Sequence, residues 1–361
     1  MYKGYKVVVN TGAGRRENLK LLIPQVLKSK LVDQYDMWIN TLNKIDYNFL
    51  INLKDIDNRI NCIDQPDGFV NGVHSMNAFY KNCCDEKTIY IKLDDDLVYL
   101  GENFIEKLLE ARVAHDNYFL ISPMVINNDL SSYIYQVDGK LNFSEYYAQR
   151  TYAQPWYNGY FATQLHLWFL DILDKKNESQ IYTSNSEVSN TRFSINCIVW
   201  FGKDLSLING VVKGDDEEFL SIYYPSKIRK NSLLLGDTIC SHYSFGGQKR
   251  QIERAGILEK YEELLVSKIF NEEESHTYKM LCELILKLEK STDLVSVPYK
   301  GVIENTLSKF KGRIFAILRK NISIDNFLTR KKIISILNKK IKGVANKKFI
   351  VSDGRDNLPR L

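Results

Sequence analysis

Three consecutive aspartates, Asp94, Asp95 and Asp96, end an apolar run, TIYIKLDDDLV from Thr88 to Val98. A β-branched and aromatic run that stops at clustered carboxylates puts them at the carboxyl end of a strand, where open α/β sheets hold their ligands. Asp94 and Asp96 alternate and offer hard oxygen ligands suited to Mg2+ or Mn2+, which usually bind through one or two carboxylates plus substrate phosphates. The same acids would equally serve as a solvated turn or as N-caps of the next helix.

Two further groups lie downstream. In GDDEEFL, Gly214 to Leu220, the acids Asp215, Asp216, Glu217 and Glu218 lead into an apolar helical start. Acids crowd helix N-termini because the macrodipole favours them there. Alternatively, one of them is a general base removing a proton from an acceptor hydroxyl, with the others shaping the acceptor site. In CSHYSF, Cys240 to Phe245, His242 follows a predicted strand, SLLLGDTIC. Its imidazole would complete the coordination of a cation, or it is an ordinary structural histidine. Lys249 and Arg250 would neutralise a departing diphosphate, or form an exposed basic pair.

Strand-like runs at Tyr5–Asn10, Met37–Thr41, Arg59–Ile63, Thr88–Leu93 and Tyr118–Ile126 must position these groups. Helical patterns at Asn18–Ser29, Gly72–Asn82 and Asn103–Val113 alternate with them, which predicts a mostly parallel, doubly wound sheet. Residues 140–200 are less regular and rich in aromatic rings. Their TYAQPWYNGYF segment, Thr151 to Phe161, would wall a sugar site or simply be core. Ile257–Lys290 reads as one or two closing helices.

With 361 residues, 44% of them apolar, the chain can bury a substantial core. No run approaches the roughly 20 apolar residues of a membrane-spanning helix. The start, MYKGYKVVVNTGAG, is already a strand with no apolar signal segment before it, so a cytoplasmic location is expected. The six cysteines lack zinc-site spacing and read as buried thiols in a reducing compartment. Charge is uneven: from Ser291 onward 16 Lys and Arg face 5 Asp and Glu, a balance of +11, which leaves −6 on residues 1–290. Nucleic acid is a poor partner for an acidic body with no binding motif. Basic amphipathic helices at Val302–Lys320 and Ile324–Ile341 suit an anionic membrane surface, through residues 300–348, on the inner face of the cytoplasmic membrane. Packing on the body with lysines in water is the alternative.

In order, the strand-borne Asp-x-Asp, the acidic helix start and the late histidine with trailing bases resemble bacterial glycosyltransferases of the GT-A fold. The resemblance extends to a group of bacterial proteins with a T-x-A-G-R-R-x-x-L turn after the first strand, here Thr11 to Leu19. Similar segments are VDQYDMWINT, IYIKLDDDLVYL, RFSINCIVWFG and GDDEEFL, so most of residues 5–265 is covered and none of the basic tail. The resemblance implies a GT-A-like, Rossmann-like mixed sheet, mostly parallel and flanked by helices. With the helical pattern and charge of the rest, the expected division is a catalytic domain (1–265), a closing helix (266–290) and a C-terminal basic helical extension (291–361). It implies Asp94 and Asp96 with His242 as ligands of Mn2+ or Mg2+. Asp216 becomes the base of an inverting reaction, flanked by Asp215 and Glu217. Thr11, Arg15, Asn40, Thr41, Asp94, Asp95, Lys249 and Arg250 would bind the nucleotide-sugar donor, and the acceptor would be a cell-surface or lipid-linked glycan. Gly12 stands where that group often has proline.

A rival class is the haloacid-dehalogenase-type phosphatase, whose D-x-D-x-(T or V) nucleophile motif is matched by Asp94 to Val98. Its nucleophile strand normally comes first, whereas three strand-like runs precede this one. Nucleotidyltransferases share a related sheet, but their lysine-bearing glycine-rich signature is not seen at Thr11 to Arg16. Dinucleotide binding fails because Glu17 occupies the place of the third glycine.

Overall fold

The computed structural model describes residues 1–301 apart from 67, 71–74, 76, 145–147 and 149–153. The chain packs as two units, Met1–Gly301 and Val302–Leu361. The expected basic helices and the membrane-facing stretch from residue 302 onward lie outside the described residues.

The strands are β1 (Lys6–Ala13), β2 (Gln34–Ile39), β3 (Ile60–Ile63), β4 (Phe69–Val70), β5 (Thr88–Leu93), β6 (Leu97–Leu100), β7 (Ile121–Ile126), β8 (Ser186–Val188), β9 (Cys197–Phe201), β10 (Ser232–His242) and β11 (Lys300–Gly301). Nine form one sheet in the order β3-β2-β1-β5-β9-β7-β10-β6, with β8 also on β10. Strands β1, β2, β3, β5, β7 and β10 run one way, while β9, β6 and β8 run against them. The protein is therefore an α/β fold with a mixed, mostly parallel sheet flanked by helices.

Two features of this topology build a crevice. The chain steps outward from β1 to β2 and β3, then returns on the other side of β1 as β5, pairing Asn10 with Lys92. Such a switch point leaves a gap at the carboxyl ends of the two central strands, and Asp94 to Asp96 follow β5 there. After the aspartates the chain crosses to the far edge as β6. It pairs antiparallel with β10 so that Leu97 lies opposite His242, and the Tyr243 amide donates to the Asp96 carbonyl at 2.8 Å. This pairing joins Leu97 to a residue 145 positions later in the chain.

Alternation along the strands feeds a core on each side of the sheet. Val7, Val9, Ile89 and Ile91 meet Leu22 and Ile23 of helix Arg16–Leu27 and Leu281 and Ile285 of helix Glu272–Lys290. Val8, Tyr90 and Trp200 face Phe161, Leu165 and Phe169 of helix Gly159–Asp174, a helix within the stretch expected to be irregular. Asn158 caps that helix by accepting from the Tyr160 and Phe161 amides. Of the expected helix Gly72–Asn82, the described part includes a 3-10 turn, Phe79–Asn82. Residues 291–301, expected to begin the basic extension, pack with the body: Asn48 exchanges hydrogen bonds of 2.8 and 2.9 Å with the Val295 backbone, and β11 pairs with β4.

The run expected to be strand from Tyr118 starts pairing at Ile121, because Arg112 takes the carbonyls before it. Its buried guanidinium donates to the carbonyls of Tyr118 (2.8 Å), Phe119 (2.9 Å) and His115 and lies 4.7 Å from the Phe201 ring. Burial pushes the Arg112 pKa down to about 10. Arg112→Ala strands three acceptors, one buried and two part-buried, and is expected to cost about 3 kcal/mol, less than their separate penalties because a buried charge also goes. A urea midpoint equivalent to under about 1 kcal/mol of loss would reject this role.

Candidate active site

The crevice is a cavity of about 500 Å3. It is lined by Gly12, Gly14, Arg15, Asn40, Lys92 and Asp94 to Asp96 from the first half of the sheet, together with Asn196, Asp216, Glu217, His242, Phe245 and Lys249 from later in the chain. Gly14 is required where the first loop meets the second: a Cβ there would lie 2.7 Å from the Asn40 carbonyl oxygen. Its amide donates to Asp95 Oδ2 at 2.8 Å.

Each aspartate has a different setting. Asp94 Oδ1 accepts from Lys92 Nζ at 2.5 Å and Oδ2 from Asn196 Nδ2 at 3.0 Å. Asp95 pairs with Arg15 Nη2 at 2.9 Å. Asp96 takes Arg15 Nη1 on Oδ2 and His242 Nε2, at 3.2 Å, on Oδ1. Burial raises the Asp95 carboxyl, with Arg15 opposing. Burial would raise Asp96 too, but His242 and Arg15 outweigh it and hold that carboxyl well below the usual range. Ligand atoms of Asp94, Asp96 and His242 all lie within 4.8 Å of one another. The buried His242 Nδ1 has no hydrogen-bond partner among the described residues.

Across the cavity, Asp215 is the N-cap of the short helix Asp216–Glu218, accepting from the Glu218 amide at 3.1 Å. It pairs with Arg192 at 2.9 Å and does not line the cavity. Asp216 and Glu217 do. Asp216 Oδ2 accepts from the Tyr80 hydroxyl at 3.0 Å. Burial raises its carboxyl, opposed by Lys92 and Tyr80. Burial pushes Glu217 up to about 7 against the pull of Arg192, whose Nε lies 2.6 Å away.

Thr11, Thr41 and Arg250 are not among the lining residues. Thr11 is fully buried and bonded to the Tyr35 hydroxyl at 3.1 Å. Thr41 accepts from the Asn43 amide at 3.1 Å, and Arg250 is exposed. Asn40 does line the cavity, and its buried Oδ1 has no partner among the described residues. Four participants were missed from sequence: Lys92, Asn196, Tyr80 and Arg192. Lys92 had left a signal, a charge inside an otherwise apolar strand. Asn196 and Tyr80 are ordinary residues whose roles exist only through tertiary pairing. Of the aromatic segment, Thr151 to Ala153 lie outside the described residues. Trp156 stacks on Phe245 at 5.4 Å, and the Phe245 ring is 4.4 Å from His242.

Among the described residues no helix is long and apolar enough to cross a membrane. No protein-family model matches the sequence, and no curated protein matches it. Among solved structures the chain is similar to a CMP:2-keto-3-deoxy-manno-octonic acid synthetase complexed with CTP, with 10% identity, a TM-score of 0.39 and coverage of 72% of this chain and 100% of that one. It is also similar to S. aureus TarS, with 9% identity, TM-score 0.38 and coverage of 80% and 72%. A third is GalNAc-T7 with UDP, GalNAc and Mn2+, with 8% identity, TM-score 0.41 and coverage of 80% and 57%. Similarities of this size carry no information on activity.

Proposed function

We propose that the chain is a glycosyltransferase of hexosyltransferase type. It moves a sugar from a nucleotide-sugar donor to a hydroxyl of a cell-surface or lipid-linked glycan, with inversion and with Mn2+ or Mg2+. The observation that carries this is the convergence of Asp94, Asp96 and His242, from β5 and the distant end of β10, on a cavity that also holds the raised carboxyl of Asp216. Formal charge agrees: with every lining acid ionised, five carboxylates against Arg15, Lys92 and Lys249 leave two negative charges, the complement of one divalent cation.

Asp94, Asp96 and His242 would hold the cation, which when bound offsets charge developing on the departing diphosphate. Lys92 and Asn196 fix Asp94, one on each oxygen. Asn40, whose Oδ1 has no partner among the described residues, would face the donor, and Lys249 would stand beside the diphosphate. Asp216 takes the acceptor proton as the hydroxyl oxygen bonds to the anomeric carbon and the bond to phosphate breaks. In the phosphatase alternative Asp94 attacks phosphorus, and the hydrogen bonds from Lys92 and Asn196 would blunt its nucleophilicity.

A panel of nucleotide sugars, followed by thermal stabilisation and nucleoside diphosphate release with and without Mn2+, tests this. One donor should stabilise the protein and be slowly hydrolysed only with the cation. Turnover of a generic phosphate monoester with no donor response would replace the transferase by the phosphatase.

A further inference from the structure

Asp96 is the most contested group in the cavity. Oδ2 is ion-paired with Arg15 and Oδ1 bonded to His242, yet the proposed cation needs one of these oxygens. A guanidinium and a dication cannot share a carboxylate oxygen without strong repulsion at such separations. Even a cation on Oδ1 beside His242 would stand one oxygen away from the guanidinium on Oδ2, so Arg15 opposes it.

The two are unequally free. His242 ends β10, its side chain is 3% exposed, and it packs on the Phe245 ring at 4.4 Å. The Arg15 side chain is 53% exposed, and its ion pairs are with Asp95 and Asp96. It also lines a second cavity of about 320 Å3, which shares Ser244 and Lys249 with the first. A rotation about its long stem could carry the guanidinium out of the aspartate cluster toward this second cavity, which Glu17, Asp46, Glu253 and Glu259 also line. Planar, bidentate Arg suits phosphate as well as carboxylate.

We propose that Arg15 competes with a divalent cation for Asp96, and that a diphosphate, by engaging the guanidinium, couples anion binding to cation binding. This rests on the transferase assignment of Asp94, Asp96 and His242. Each ligand removes what opposes the other, so the coupling is positive and reciprocal. Arg15 is then a positioning residue that also keeps adjacent carboxylates compensated until the donor arrives.

The test is Mn2+ titration of the full chain, followed by the EPR signal of the free ion, for the wild type, Arg15→Gln and Arg15→Lys, each checked by circular dichroism. With Mn2+ alone, Arg15→Gln should bind at least about tenfold tighter than wild type. Arg15→Lys, whose point charge cannot bridge both carboxylates, should fall between. UDP as a diphosphate probe should tighten Mn2+ binding in the wild type and do so less in Arg15→Gln. Unchanged or weaker Mn2+ binding in folded Arg15→Gln overturns the competition while leaving the transferase assignment standing. Should Arg15→Gln misfold, unchanged binding in Arg15→Lys overturns it equally. If no form binds Mn2+, even with UDP, the cation centre fails and the competition with it.

Discussion

Asp96→Ala is expected to lower sugar transfer by at least about 10³-fold in kcat, with the melting temperature little changed. The rate effect is large because the substitution removes one of three converging ligands and separates His242 from its carboxylate partner. Charge on the leaving diphosphate then develops without compensation, and electrostatic stabilisation of that charge is the largest contribution expected here. The fold tolerates the change for a local reason. The Asp96 carbonyl, not its side chain, receives the Tyr243 amide that ties β6 to β10. Removing one of three crowded carboxylates also relieves repulsion at Asp95, which keeps Arg15. Transfer rates at saturating donor, with and without Mn2+, decide the matter. An active variant that has become metal-independent would refute the assignment.

How far the site could be read in advance depends on which interactions are local. The Asp-bearing strand is bounded at Thr88–Leu93, as its apolar pattern requires, although Asp95 and Asp96 just beyond it are buried as well. His242 was placeable at the end of a long apolar run for the same reason. Thr11 shows the limit of such reasoning. Side chains alternate along β1, so in a segment expected to line the nucleotide pocket Thr11 points into the core toward Tyr35 while Gly12 lines the cavity. In the acidic run, capping geometry sorts the roles: Asp215 is spent on the Glu218 amide, leaving Asp216 and Glu217 to face inward. Helix Gly159–Asp174 was hidden by its aromatic density, although Asn158 was a readable cap. Insertion of β9 between β5 and β7, which brings Asn196 to Asp94, depends on a crossover that no local pattern encodes.

Asp216→Asn should reduce kcat by about 10²- to 10⁴-fold, the usual range for a lost general base, and no more than Asp96→Ala does. The pH profile distinguishes a base from a residue that merely shapes the pocket. Burial raises the Asp216 carboxyl while Lys92 and the Tyr80 hydroxyl pull it back. Only the ionised form accepts a proton, so kcat/KM is full above the raised pKa and falls as pH drops through it. The acid limb therefore lies above the ordinary carboxylate range. Tyr80→Phe removes a hydrogen bond that stabilises the ionised form, so the pKa rises further and the limb moves to higher pH. Tyr80 is a cleaner probe than Lys92, whose loss would also free Asp94 Oδ1. If the limb stays put in Tyr80→Phe, or persists unchanged in the residual activity of Asp216→Asn, another group carries the proton. Glu217, pushed up to about 7 and lining the same cavity, would be next to test.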